Sequence, residues 1–208
     1  MKKEDLWTFP LYILMHPIDG FDEFKRYKRG KLYVAITFLV LMALLSILKY
    51  QYTGFIVNEN NPQDLNSIKE IAYILAPLLI FVIGNWSVTT LLDGKGKLKE
   101  IFMMTCYALF PMIVIGYINI IISNIVSIPE ADFYYLFNGF GIFLTAYMLF
   151  IGLIVIHEYT LMKSLLTILF TIVAMGVLIF IGLLFFDLIQ QIFGFLYAII
   201  KEISLRYF

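Results

Sequence analysis

The sequence predicts an all-α, polytopic integral membrane protein: a bundle of five transmembrane helices with an amphipathic interfacial segment at each end. Three observations lead there. The 208 residues are 62% hydrophobic and 14% charged, with mean hydropathy +0.90; soluble domains run at about 45–50% apolar and about 25% charged. Five apolar stretches meet or approach the roughly 20 residues that a helix needs to cross a bilayer core of about 30 Å. These stretches are long and show no sustained alternation, so barrel strands do not fit.

Residues 1–31 read as a cytoplasmic, amphipathic and basic lead-in. Leu11–Met15 is apolar but too short to cross, and Pro10 and Pro17 bracket it. Phe21, Phe24 and Tyr27 recur at helical spacing among Asp22, Glu23, Lys25 and Arg26. Aromatics on one side and basic residues on the other suit a membrane surface, and the anionic inner leaflet adds attraction. The same charges also serve simply to set topology. The N-terminal segment Met1–Pro10 has no small-residue cleavage site, so no removable signal peptide is expected.

Residues 32–186 hold the spans: Leu32–Leu48, Ile71–Leu92, Ile101–Ile122, Phe137–Ile156 and Leu165–Phe186, none with an ionisable acid or base. Lys31 and Lys49 flank the first and can snorkel to the interfaces. Pro77 and Pro111 lie mid-span and should kink their helices. With the N-terminus inside, eleven Lys/Arg fall on the inner side (Lys2, Lys3, Lys25, Arg26, Lys28, Arg29, Lys31, Lys95, Lys97, Lys99 and Lys163). Four fall outside: Lys49, Lys69, Lys201 and Arg206. The positive-inside rule then places the N-terminus in the cytoplasm and the C-terminus outside. Residues 187–208 repeat Ile189, Ile192, Phe193, Leu196, Ile199, Ile200 and Ile203 at spacings of three and four. That pattern predicts an amphipathic helix on the outer face; Asp187, Gln190 and Gln191 argue against a sixth crossing.

Charge is balanced, 15 Lys/Arg against 15 Asp/Glu, so nothing points to nucleic acid. Cys106 is the single cysteine and can form neither an intrachain disulfide nor a multi-Cys metal site. "LLDGKGKLKE" at Leu91–Glu100 invites a phosphate-loop reading and fails it. That motif needs G-x-x-x-x-G-K followed by Ser or Thr, between a strand and a helix. Here Asp93, Gly94, Lys95 and Gly96 instead signal a turn, with glycine supplying positive φ and the lysines holding the turn inside. His157 and Glu158 lack the second histidine of a zinc metalloprotease, because position 161 is Leu. His157 reads as an interfacial residue. No catalytic, metal or cofactor site is expected.

Of the uncharged polar groups in the spans, Asn119 sits in the outer half of the third, and a cluster lies near that turn. Asn85, Thr89 and Thr90, beside Trp86, crowd the inner end of the second span, and Asn85 and Thr89 share a face one turn apart. They serve as interhelical hydrogen-bonding groups or as a polar pocket for a lipid headgroup or a partner.

The stretch Asn85–Pro111, "NWSVTTLLDGKGKLKEIFMMTCYALFP", resembles the Yip (Ypt-interacting protein) family of membrane proteins. Asn85, Trp86, Thr90, Leu91, the Asp93–Gly96 turn, Tyr107 and Pro111 carry the likeness, and "HPIDGFDEFKRYKRGK" at His16–Lys31 is similar to the lead-in of bacterial members. The resemblance implies a non-enzymatic five-span protein of a compact prokaryotic type, in the bacterial cytoplasmic membrane and associated with solute-transporter components. Eukaryotic members bind lipid-modified small GTPases and have a long cytoplasmic N-terminal region. Here only residues 1–31 precede the first span, so GTPase binding is not expected. The expected function is that of a membrane-organising or adaptor protein that binds other membrane proteins or lipids. The alternative is a small oligomeric transporter or channel component whose path Asn85 and Thr89 would line.

Overall fold

The computed structural model describes residues 7–207, which are helical with short connections and contain no strand. Lys2 and Lys3 of the topology count lie outside the described residues, as do the side chains of Ile203 and Arg206. Two short helices lead in: α1 (Phe9–Met15) and α2 (Pro17–Arg26). Then come α3 (Leu32–Tyr52), α4 (Ser67–Leu91), α5 (Leu98–Ala108), α6 (Phe110–Ser123), α7 (Ala131–His157) and α8 (Leu161–Tyr207). Because α5 and α6 together make one span, five segments are long and apolar enough to cross a membrane.

Each element begins and ends for a local reason. Pro10 and Pro17 stand at the first turns of α1 and α2, where a missing N–H costs nothing. Asn66 caps α4, its side-chain oxygen accepting from the N–H groups of Ile68 and Lys69. Pro111 has no N–H for the carbonyl of Tyr107, and the third span breaks into α5 and α6 at Leu109. Pro77, in contrast, lies within α4, which runs through it as one helix.

The interrupted third span is the centre of the bundle. Along α5, Ile101, Met104, Cys106, Tyr107 and Ala108 are fully buried, and α5 packs on α3, α4 and α7. In lipid the apolar surroundings give helices little hydrophobic reason to associate, so close packing and polar bonds hold them together. At one end of the bundle, Gly54 lies so close to Ser123 that a Cβ would fall 1.9 Å from the Ser123 carbonyl oxygen. Its N–H donates to Ser123 Oγ at 2.9 Å, and Asn124 Nδ2 donates to the Tyr52 carbonyl at 2.9 Å. The opposite end gathers α2, the α4–α5 turn and the α7–α8 junction.

Two findings differ from the sequence reading. Phe21 and Phe24 turn into the bundle rather than toward a membrane surface, because α2 packs along α7; only Tyr27 of that trio is exposed. The second concerns α8, which continues for 47 residues without a break at Asp187. There Gln191 donates to the Asp187 carboxylate at 2.9 Å, one turn apart, so the polar residues bond along the helix instead of ending it. At about 1.5 Å per residue such a helix is roughly 70 Å long, more than twice a bilayer core. Its first half packs on α4, and its second half stands exposed.

Candidate functional site

The α4–α5 turn closes over the end of α7. At its base, Asn85 and Thr89 are buried one turn apart on α4. The Thr89 hydroxyl donates to the Asn85 carbonyl at 2.7 Å. Asn85 looks outward from α4 to two partners: its Nδ2 donates to Thr171 Oγ1 of α8 at 3.2 Å, and its Oδ1 lies 3.1 Å from His157 Nε2. The other ring nitrogen, His157 Nδ1, lies 3.3 Å from the Gly96 amide. A backbone N–H can only donate, so Nδ1 is the acceptor and Nε2 carries the proton toward Asn85. One buried imidazole thus ties the turn, α4 and α7 together, and Asn85 extends the tie to α8.

Both glycines of the turn are required by proximity. A Cβ on Gly96 would sit 2.6 Å from His157 Cε1; one on Gly94 would sit 2.7 Å from His157 Nδ1 and from the Tyr159 hydroxyl. Neither glycine adopts positive φ; the left-handed residue of the turn is Asp93, at φ 56°. The turn forms where the sequence signals it, but its glycines admit the histidine ring rather than supply the reversal. Tyr159 stacks on that ring, with centroids 5.3 Å apart, and donates to the Leu92 carbonyl at 2.9 Å. Burial, and then the charge of Asp93, push the Tyr159 hydroxyl above the usual tyrosine range.

A charged clasp covers this knot. Glu158 ends α7 in the left-handed conformation, at φ 56°. Its carboxylate meets Lys95 of the turn at 2.5 Å and Lys25 of α2 at 2.9 Å. Lys25 also donates to the Ile156 carbonyl at 2.8 Å, satisfying an oxygen that the end of α7 leaves open. The hydrogen bonds from Lys95 and then Lys25 hold the Glu158 carboxyl down to about 2.

Of the residues singled out in the sequence, Asn85, Thr89, Gly94, Lys95 and Gly96 converge here. Trp86 and Thr90 lie on the same end of α4 but face outward, and Asp93 is exposed. Tyr107 belongs to a separate aromatic cluster, and Pro111 is buried at the first turn of α6. The Tyr107 ring meets Phe9, Phe24 and Phe38 edge-on, and its hydroxyl accepts from the Lys31 amide at 3.1 Å. Tyr159 and Thr171 went unremarked in the sequence, Lys25 read only as a topology charge and Glu158 only as half of a failed zinc motif, and His157 is buried rather than interfacial. The one available signal was the placement of His157 and Glu158 directly after an apolar run, at the same end as the turn.

No group of three or more His, Cys, Asp or Glu able to hold a metal occurs among the described residues. The arrangement defines a class: a five-span helical membrane protein whose buried polar groups at this end bond chiefly to one another. The Yip1 domain model matches residues 11–199, and the chain belongs to that family. Comparison with curated proteins and with solved structures finds no match.

Proposed function

We propose that the chain is a non-enzymatic membrane-organising or adaptor protein that binds other membrane proteins, solute-transporter components among them, through the end bearing the α4–α5 turn. The observation that carries this reading is the closed knot. Both nitrogens of His157 are hydrogen-bonded, and Glu158 is paired with two lysines. These groups brace the end of the bundle instead of standing free for chemistry. Outside the brace, Trp86, Thr90 and Asp93 are displayed on a rigid edge. Rigid, exposed aromatic and charged groups suit partner recognition.

In this reading residues 1–31 are the cytoplasmic lead-in, 32–186 the membrane domain, and 187–208 a segment beyond the outer face of a bacterial cytoplasmic membrane. The knot end faces the cytoplasm, consistent with its excess of lysines. The test is crosslinking and copurification from native membranes with wild type and Asp93→Ala. A discrete membrane protein recovered with wild type and lost with the variant supports the reading; a chain always recovered alone sinks it.

A second reading, a small transporter, draws on the opposite end. Between α3, α4, α6 and α7 a cavity of about 180 Å³ reaches Gly116 and Gly141, with Ser46, Lys49 and Asn138 on its wall. Asn85 and Thr89 do not line it. Solute flux in reconstituted vesicles, abolished by Asn138→Leu, would favour this reading over the first.

A further inference from the structure

Beside the clasp, bordered by the end of α2, the α2–α3 link, the first turns of α3 and the start of α5, lies a cavity of about 740 Å³. Sites for small ligands typically measure about 300–1,000 Å³. Five lysines border the cavity: Lys25, Lys28, Lys31, Lys97 and Lys99. Its single acid is Glu100, whose carboxylate turns back to accept from the Lys97 amide at 3.0 Å. Lys25 is committed to Glu158 and Ile156, but the other four lysines enter no ion pair among the described residues. Among the described residues Glu100 is the one acid on the cavity wall, and it forms no ion pair with these four lysines.

The local backbone is shaped to assemble them. Lys28 adopts the left-handed conformation, at φ 51°, which a lysine takes at a cost that glycine would avoid. Gly30 lies so near the Phe24 ring that a Cβ would fall 2.2 Å from it. The link between α2 and α3 therefore folds tightly over Phe24 and carries Lys28 and Lys31 to the cavity's rim. The cavity is amphipathic. From the lysines it continues onto Leu32, Ile36 and Met103, and Leu32 and Ile36 are exposed on the first turns of a membrane-spanning helix. A ligand that fits carries negative charge at one end and hydrocarbon at the other, and it is met where a span leaves the bilayer.

We infer that this cavity binds an anionic glycerophospholipid, its phosphate held by Lys28, Lys31, Lys97 and Lys99 and its acyl chain lying along Leu32 and Ile36. The inference goes beyond the protein-partner binding proposed above. It rests on that reading only in setting this end at a bilayer boundary.

The test is native mass spectrometry of the full chain in detergent, titrated with phosphatidylglycerol, with phosphatidylcholine of the same chains, and with inorganic phosphate as competitor. Phosphatidylglycerol should remain bound under conditions that strip phosphatidylcholine, and millimolar inorganic phosphate should leave it in place. Removing one lysine near an anionic headgroup should weaken binding roughly fivefold, so Lys28→Gln with Lys97→Gln should weaken it roughly 25-fold. Lys69→Gln, at the other end of the bundle, should not. Equal retention of the two lipids, or an unchanged affinity in the double variant, overturns the inference. Displacement by inorganic phosphate overturns the lipid assignment in favour of a soluble anion. The comparison of lipids on wild type stands even if the double variant does not fold. Partner recovery by crosslinking is scored separately, so failure here is distinguishable from failure of the adaptor reading.

Discussion

Gly96→Ala tests the knot most cleanly. The residue does not use positive φ, so alanine brings no backbone strain of its own. What it brings is a methyl group 2.6 Å from His157 Cε1, 2.8 Å from Ile156 Cγ2 and 2.9 Å from His157 Nδ1. The ring cannot withdraw without leaving Asn85, and Ile156 is fully buried, so the turn must lift. Overpacking of this kind costs about 1–3 kcal/mol, and losing the Gly96–His157 hydrogen bond costs about 0.5–1.5 kcal/mol more. Together they predict a destabilisation of about 2–4 kcal/mol. The assay is reversible unfolding in mixed micelles by added denaturing detergent. Gly176→Ala is the control, since nothing lies within 4 Å of a Cβ there. If Gly96→Ala unfolds with the control, within about 0.5 kcal/mol of wild type, the close approach of turn and histidine is refuted.

Other predictions use the same unfolding assay. His157→Ala leaves the Gly96 amide and Asn85 Oδ1 without their partner and should cost about 1–3 kcal/mol; a double cycle with Asn85→Ala should show coupling of about 0.5–3 kcal/mol. Tyr107→Phe removes the hydroxyl that accepts from the Lys31 amide and should cost about 0.5–1.5 kcal/mol. Tyr107→Ala also empties the aromatic cluster and should cost about 3–5 kcal/mol. Because Glu158 is depressed to about 2 from an ordinary 4.5, its pairing stabilises the fold above that ordinary value. The contribution fades as pH falls from about 4.5 toward about 2, and Glu158→Gln should flatten the stability profile across that window.

The spans were legible because an uninterrupted apolar run of the right length has few other uses. The turn was legible because Asp93, Gly94 and Gly96 punctuate two such runs. What the sequence hid is what depends on distant partners. His157 follows an apolar run and reads as interfacial until the turn, 61 residues away in sequence, folds onto it. Lys25 reads as one of several topology charges, yet its partner Glu158 is 133 residues distant. The burial of Phe21 and Phe24 likewise depends on α7, which periodicity within α2 cannot show. Asp187 and Gln191 look like a helix boundary, but their mutual hydrogen bond is one that a continuing helix makes at no extra cost.

In the proposed function, the edge outside the knot recruits a membrane partner. The most direct test of this is a photo-crosslinker at Thr90, exposed on that edge, activated in native membranes. One discrete crosslinked membrane protein is expected, lost on Asp93→Ala while folding is retained. Crosslinks to lipid alone, or products unchanged by that substitution, would contradict it.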